Sequence, residues 1–362
     1  MKNLIFTLLA LTTQISATSP LIESEEWLSP DREAFDCHSS NILETSPGKF
    51  CSLWKGGPGT GKCNFNIPEN VGIWQSDFDG EHWSTPREII SSPKSVCWTP
   101  IVCKNPTGEI LLFYRIGLDP RLVNSFLKRS LDEGRTWSQE EMLPAGIIGP
   151  TKTKPFFAKN GTLVSPSSVE VGHPNDLYKA TACWVEISED NGHHWKKVGP
   201  LELPNRKFGV IEPTFFHDKE GNLRMLCRDR AYQIDEKGFI WMAISKDEGL
   251  HWSEFIQTAL PNPDSGVDVA DLGDGKIVVF YNHSHTNRFP LNAAISVDGG
   301  DSWSEPFLLD EKGEFPSAIV ASSGLIHVTY AVTPPGHEQR RIKHIVINPE
   351  KFPISHRADR QF

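Results

Sequence analysis

The chain has 362 residues, 46 of them acidic against 36 basic, and carries a formal net charge of −10 at neutral pH. Its lysines and arginines are scattered rather than clustered, which excludes nucleic acid and anionic membrane surfaces as partners. With 38% hydrophobic and 10% aromatic residues, 28 glycines and 27 prolines, it reads as a turn-rich all-β protein rather than a helical one.

From the N-terminus, Lys2, the apolar run at 4–11 and Ile15-Ser16-Ala17 have the layout of a cleaved export signal. Residues 1–17 are therefore expected to be removed, leaving a secreted or periplasmic chain that begins near Thr18. The run is too short to cross a bilayer and no later stretch approaches about 20 apolar residues, so no membrane insertion is expected. Residues 18–353 read as one domain, and 354–362 as a C-terminal tail.

Four copies of Ser-x-Asp-x-Gly-x-x-Trp punctuate that domain: Ser130-Asp132-Gly134-Trp137, Ser188-Asp190-Gly192-Trp195, Ser245-Asp247-Gly249-Trp252 and Ser296-Asp298-Gly300-Trp303. An earlier copy, Ser76-Gly80-Trp83, has Phe78 in place of the Asp. Recurrence roughly every 50–60 residues marks one supersecondary unit used repeatedly. Asp accepts hydrogen bonds from turn amides, Gly supplies a positive φ, and Trp packs between neighbouring units. These jobs are structural. The Phe78 copy is expected to lack the Asp-mediated bonds and to be held by packing.

Upstream of each box an apolar strand, a Gly turn and a second apolar strand recur. Pro follows the strand start at Thr99-Pro100, Lys154-Pro155, Glu212-Pro213 and Phe315-Pro316, while His38-Ser39 and Asp268-Val269 match the phase without it. The turn glycines are Gly48, Gly108, Gly161, Gly221, Gly275 and Gly324, which makes six units. Pro cannot donate to a β-ladder, so these are edge strands, as the innermost strands of propeller blades are. Third strands are expected at 71–75, 125–129, 182–187, 239–244, 291–295 and 342–347. The sixth unit has no box, and residues near 21–28 are expected to supply its fourth strand. The fold class is an all-β, six-bladed β-propeller closed by an N-terminal strand that completes the last blade.

In this phase the inner strands begin at His38, Thr99, Lys154, Glu212, Asp268 and Phe315. The second strands end at the same rim with Lys55, Arg115, Ser168, Arg228, Asn282 and Ala331. Buried charges in such a ring must pair, either to brace the blades or to form a polar functional pocket. Glu212 and Asp268 are two carboxylates suited to acid and base work, and His38 exchanges protons near neutral pH. Glu170 is a further carboxylate; Arg230, Asp229, Tyr281 and His283 flank the rim as supports, and Trp54 and Trp98 either stack on a ligand ring or pack against a neighbouring blade. Seven cysteines leave at least one unpaired, and no spacing resembles a zinc cluster, so no metal or cofactor is expected. Asn160 and Asn282 head glycosylation sequons. Nothing indicates an oligomer.

The boxes, the six-unit phase and Ile211-Glu212-Pro213-Thr214 running to Leu226-Cys227-Arg228 resemble the sialidase (neuraminidase) superfamily over nearly the whole mature chain. The resemblance is to its bacterial sialidase-like branch, which carries Gly149-Pro150-Thr151-Lys152-Thr153-Lys154-Pro155 and Pro166-Ser167-Ser168-Val169-Glu170. It implies hydrolysis of a glycosidic bond at an acidic sugar on a glycan terminus. It also implies three arginines for the carboxylate, a Glu-activated Tyr nucleophile and an Asp acid, the exception to the two-carboxylate scheme. On this resemblance Glu212 is the activating Glu, and Arg228 and Arg288 are the second and third arginines; a guanidinium fork suits a carboxylate bidentately.

Three positions depart from that pattern. His38 stands where the first arginine belongs, Phe315 where the Tyr belongs, and the loop at 62–70 offers Glu69 as its carboxylate in place of Asp. The expected catalytic set is accordingly Glu212, Asp268 and His38, with Arg228, Arg288, Lys154, Arg115 and Glu170 binding an acidic saccharide. Two other functions stay open. One is a non-catalytic glycan-binding propeller that kept its arginines; the other is a uronate lyase using His38 and Lys154 to abstract a proton.

Overall fold

Apolar alternation broken by Gly turns folds this chain into antiparallel hairpins, and the hairpins associate four strands at a time. The computed structural model describes residues 19–353 apart from 33–34, 59–70, 172–179, 205, 207–208 and 231–236. The export segment, the loop at 62–70 and the C-terminal tail lie outside the described residues.

Strand β1 (Ile22–Trp27) comes first and is used last. Blade 1 is β2 (Phe35–Ser46), β3 (Lys49–Pro58), β4 (Gly72–Phe78) and β5 (Arg87–Ile90). Blade 2 is β6 (Val96–Lys104), β7 (Ile110–Asp119), β8 (Leu122–Ser130) and β9 (Glu141–Met142). Blade 3 is β10 (Phe156–Phe157), β11 (Leu163–Val171), β12 (Ala180–Ser188) and β13 (Lys196–Leu201). Blade 4 is β14 (Val210–His217), β15 (Leu223–Asp229), β16 (Phe239–Ser245) and β17 (Ile256–Pro261). Blade 5 is β18 (Asp268–Asp271), β19 (Ile277–Asn282), β20 (Leu291–Ser296) and β21 (Phe307–Asp310). Blade 6 is β22 (Gly313–Val320), β23 (Ile326–Val332) and β24 (Arg341–Ile347), completed by β1 in the order β1-β24-β23-β22. The six-bladed propeller, its third strands and its closure by an N-terminal strand are as the sequence leads one to expect.

Apolar side chains fill the spaces between blades. Leu53 and Ile73 of blade 1 pack with Val102 and Leu112 of blade 2, and Val164 and Val185 of blade 3 with Met225 and Ala243 of blade 4. Burying each large aliphatic side chain contributes about 1.5–3 kcal/mol, so the ring is held mainly by these inter-blade layers.

Each box sits beyond the third strand of its blade and grips the blade before it. In blade 2, Ser130 Oγ accepts from Gly134 N at 2.9 Å, and Asp132 Oδ1 accepts from Ser130 Oγ at 2.8 Å and Thr136 N at 2.9 Å. Trp137 Nε1 then donates to Gln75 Oε1 of blade 1 at 3.1 Å. The first box corrects the expectation drawn from Phe78. Asp79, one residue on, accepts from the amides of Glu81 and His82 at 2.9 Å each, so the turn keeps its carboxylate. Phe78 is freed to pack on Trp83, with ring centroids 5.4 Å apart.

Cys37, Cys51, Cys97, Cys103, Cys183 and Cys227 are buried free thiols, so the possibility of disulfides among them is not realised. Burial pushes the thiols of Cys37 and Cys97 up to about 12. The sequon at Asn282 is closed: its side chain is fully buried and donates to Pro290 O at 3.0 Å and Gly313 O at 2.9 Å.

Hydrogen bonds from Thr136 hold Asp132 down to about 2, and the His251 side chain leads the groups that do the same for Asp247. Their contribution to stability is complete above the ordinary carboxylate value of 3.8 and is lost as pH falls through the folded value. Thermal melts should therefore decline between about pH 4 and pH 2, and the Asp132→Asn, Asp247→Asn double variant should decline less steeply there.

Candidate active site

Four inner strands carry the same interruption. Pairing skips two residues between His38 and Asn41, Trp98 and Ile101, Ile211 and Thr214, and Glu314 and Ser317. In three of these the second skipped residue is Pro, which has no N–H for the ladder, so the strand bulges. The first skipped residue is left-handed in blades 1, 4 and 6: Ser39 at φ 54°, Glu212 at φ 52° and Phe315 at φ 54°. None is Gly, so each conformation costs roughly 1–3 kcal/mol that the surroundings must offset. Across the ladder stand Lys55, Arg115, Arg228 and Ala331. The bulges thus set one level of the mouth.

That level corrects three expected positions. In blade 1 the counterpart of Glu212 is Ser39, one residue after His38. In blades 3 and 5, Lys154 and Asp268 stand a layer deeper, level with Thr214 and Ser317. Asp268 Oδ1 accepts from Thr214 Oγ1 at 2.9 Å and Val269 N at 3.0 Å, and Oδ2 from Ala318 N at 2.9 Å and Lys154 Nζ at 3.3 Å. Lys154 Nζ also donates to Ser317 Oγ at 2.7 Å and Ala318 O at 3.0 Å. Both Asp268 oxygens are occupied, and blades 3 to 6 are tied together through them.

The mouth-level residues of blades 3 and 5 are Lys152 and Gly266. Lys152 is 1% exposed and donates from Nζ to Pro316 O at 2.6 Å. A Cβ on Gly266 would lie 2.9 Å from Lys152 Cε and 3.0 Å from Phe315 Cδ1, so glycine makes room for both.

Arg228 holds the centre. Its Nη1 donates to Glu212 Oε2 at 2.8 Å and its Nε to Asp264 Oδ1 at 2.8 Å. Asp264, sealed from solvent, also takes Arg230 Nη1 at 2.9 and 3.0 Å and lies 3.7 Å from Arg288 Nη2. Arg230 reaches Glu170 at 3.4 Å. The guanidinium carbons of Arg228 and Arg288 lie 5.3 and 5.4 Å from the Phe315 ring centroid, so both cations flank the ring that replaces a hydroxyl. The Arg288 side chain is 40% exposed, against 5% for Arg228. Arg115 Nη2 donates to Thr151 O at 3.0 Å; Thr151 in turn bonds Ser168, which accepts from Glu212 N at 3.2 Å.

Two neighbouring carboxyls are pushed in opposite directions. Burial raises Glu212, but the charge and hydrogen bond of Arg228, with Lys152 and Arg230, outweigh it and hold the group below its ordinary value. Burial dominates at Glu170 and raises it in spite of Arg230 and Arg228. Each leaves its Oε1 without a hydrogen-bond partner among the described residues. Asp268 has no such free oxygen.

His38 is braced rather than open. Its Nδ1 lies 2.6 Å from Ser39 Oγ, its Nε2 3.5 Å from Glu314 Oε1, and its ring 4.4 Å from Phe315. Burial first, then Arg340, push His38 down to about 3, so the imidazole is neutral. Burial raises Glu314, but His38 and Arg340 overcome it and hold the carboxylate ionised. A neutral imidazole that donates Nε2–H to Glu314 and accepts the Ser39 hydroxyl satisfies both directions. Arg340 binds Glu314 at 3.1 Å and Asp36 at 2.6 Å, joining blade 6 to blade 1.

Sequence reasoning missed Lys152, Asp264, Glu314 and Arg340. Lys152 lies inside the Gly149–Pro155 motif, where two lysines alternate and Lys154, beside Pro155, carries the stronger strand-start signal. Asp264 belongs to a turn closed by Asn262 and Ser265 and has no periodic signal.

Comparison with known proteins agrees with the fold. Residues 48–328 match the BNR repeat-like domain. A curated sialidase of Bacteroides fragilis (strain YCH46) is 25% identical over 205 residues, 51% of this chain and 35% of the sialidase. The chain thus spans about a third of the length of that relative. A protein of unknown function from Dyadobacter fermentans superposes with a TM-score of 0.74 at 17% identity, over 90% of this chain and 99% of that one. The Hadza microbial sialidase Hz136 gives 0.65 at 17% identity over 87% and 66%, and the NanB sialidase of Streptococcus pneumoniae 0.67 at 12% over 91% and 71%. The solved sialidases thus share this chain's fold. This chain belongs to the BNR repeat-like domain family.

Removing Asp264 would take away the carboxylate that Arg228, Arg230 and Arg288 share and leave their charges crowded. Asp264→Ala should lower unfolding free energy by about 3–5 kcal/mol in a denaturant titration, whereas Arg135→Ala, breaking an exposed ion pair, should cost less than about 1 kcal/mol.

Proposed function

We propose that this chain is an exported glycoside hydrolase of sialidase type that acts on an acidic sugar at a glycan terminus. The observation that carries the reading is the pair of guanidiniums, Arg228 and Arg288, flanking Phe315 beside the Glu212 carboxylate. Arginine forks bind a planar carboxylate bidentately in a site where Lys152 and Arg115 add positive potential. The sugar sits on this pair, with the anomeric carbon towards Glu212.

Phe315 has no hydroxyl to attack with, so water is the nucleophile. Glu212 takes a proton from that water at its open Oε1 as the oxygen bonds to the anomeric carbon. Glu170 gives its proton to the departing glycosidic oxygen as the anomeric C–O bond breaks. Glu170 replaces Asp268 in this scheme because Asp268 spends all its acceptor capacity on the blades. His38 keeps no free nitrogen, which also argues against the lyase reading.

A fluorogenic sialoside tests the proposal. Turnover should fall at least about 100-fold in Glu212→Gln and in Arg228→Ala, with a raised KM in the latter. Glu170→Gln should lose the basic limb of the pH–rate profile and be impaired far more on a natural oligosaccharide than on an aryl glycoside, whose leaving group needs little protonation. Phe315 specifically favours a second reading, a propeller that binds acidic glycans without cleaving them. Tight binding with no turnover on any acidic glycoside would decide for it.

A further inference from the structure

The third strand of each blade runs from the level of the mouth to its box, so the boxes lie on the opposite face of the propeller. There, box 1 departs from the others. Asp79 has taken over the turn amides, which relieves position 78 of the duty its Asp performs in the remaining boxes. The residue that fills it is Phe78, and it lines a cavity of about 310 Å³ between the β2–β3 hairpin, box 1 and box 2. That volume is at the lower end of those that enclose small ligands.

One wall of the cavity is aromatic and fixed. Phe78 lies 6.1 Å from Phe50 and 5.4 Å from Trp83. From behind, His327 stacks on Phe50 at 4.1 Å and His344 meets Trp83 edge-on at 5.3 Å. The opposite side is polar: Asp77, Asp79 and Glu133 with Lys49 and Arg135. Asp77 is paired with Arg87 at 3.4 Å, and Glu133 with Arg135 at 3.0 Å.

We propose that this cleft is a second saccharide site, distinct from the mouth, which takes a neutral pyranose. An aromatic wall facing fixed hydrogen-bonding groups matches a sugar ring, whose C–H face packs on rings while its hydroxyls bond at the edge. The ligand is neutral because the wall's charges offset one another, Asp77, Asp79 and Glu133 standing against Arg87, Lys49 and Arg135, and leave no surplus charge to hold a charged sugar. The two faces of the propeller then differ in chemistry: guanidiniums for an acidic sugar at the mouth, rings and paired carboxylates for a neutral one at the boxes. On a glycan-dense surface the far site adds valency without new contacts at the mouth.

Saturation-transfer NMR on the mature chain with methyl β-galactopyranoside and methyl β-glucopyranoside tests this directly. Transfer to ring C–H protons with millimolar affinity is expected for at least one of the two. Phe78→Asp restores the box pattern, so the fold is kept while binding weakens at least tenfold. Trp83→Phe should weaken it less, and Glu212→Gln should leave it unchanged. The proposal is overturned by absence of transfer to both glycosides, by equal transfer to the Phe78→Asp variant, or by Phe78-dependent binding of a methyl sialoside in their place. None of these outcomes bears on hydrolysis at the mouth, which is read separately on the fluorogenic sialoside.

Discussion

Asp264 is the anion on which the mouth depends. Three guanidiniums, those of Arg228, Arg230 and Arg288, converge on one carboxylate that water does not reach. Cations so close repel one another strongly where the dielectric is low, and that cluster is stable only with a buried counter-charge. Because Asp264 neutralises the rear of the group, the front of Arg228 is left to Glu212 and the exposed part of Arg288 is left to solvent. Electrostatics, more than packing, decides which groups face the channel.

The second constraint is mechanical. In blades 1, 4 and 6 the bulge at the start of the inner strand turns a non-glycine residue into a left-handed conformation at the level of the mouth. Where that residue is Glu212 the mouth gains a carboxylate. Where it is Phe315 the mouth gains an apolar ring carrying two cations, a placement that favours anion binding over nucleophilic attack. The deeper layer, built from Lys154, Asp268, Thr214 and Ser317, is a sealed polar brace that keeps the blades in register.

Much of this was legible in the chain. Boxes and turn glycines recur at a period set by the blade, so blade number, third strands and closure by β1 could be read from spacing. Glu212 and Arg228 were found because Pro213 marks the bulge and Arg228 lies a fixed distance past the turn. Register failed where those markers mislead. Pro155 sits below the bulge level rather than in it, so Lys154 displaced Lys152. Blade 5 has no Pro, and Gly266 gave no reason to be chosen over Asp268. In blade 1, Ser39 and Ser40 replace the usual pair, and His38 was the more conspicuous residue. Asp264 and Arg340 act across blades from loops, and a contact between distant loops leaves no trace in local periodicity.

The closure of blade 6 ties the molecule's history to its shape. Strand β1 is made before the other strands of the ring among the described residues, yet its partner β24 is made after them. Until then the nascent ring has a gap, with the edges of blades 1 and 6 uncovered and the Arg340 bridge unmade. The mouth is therefore a property of the closed ring: a chain halted short of Arg340 has its bulges and most of its arginines, but no enclosed channel for them to face.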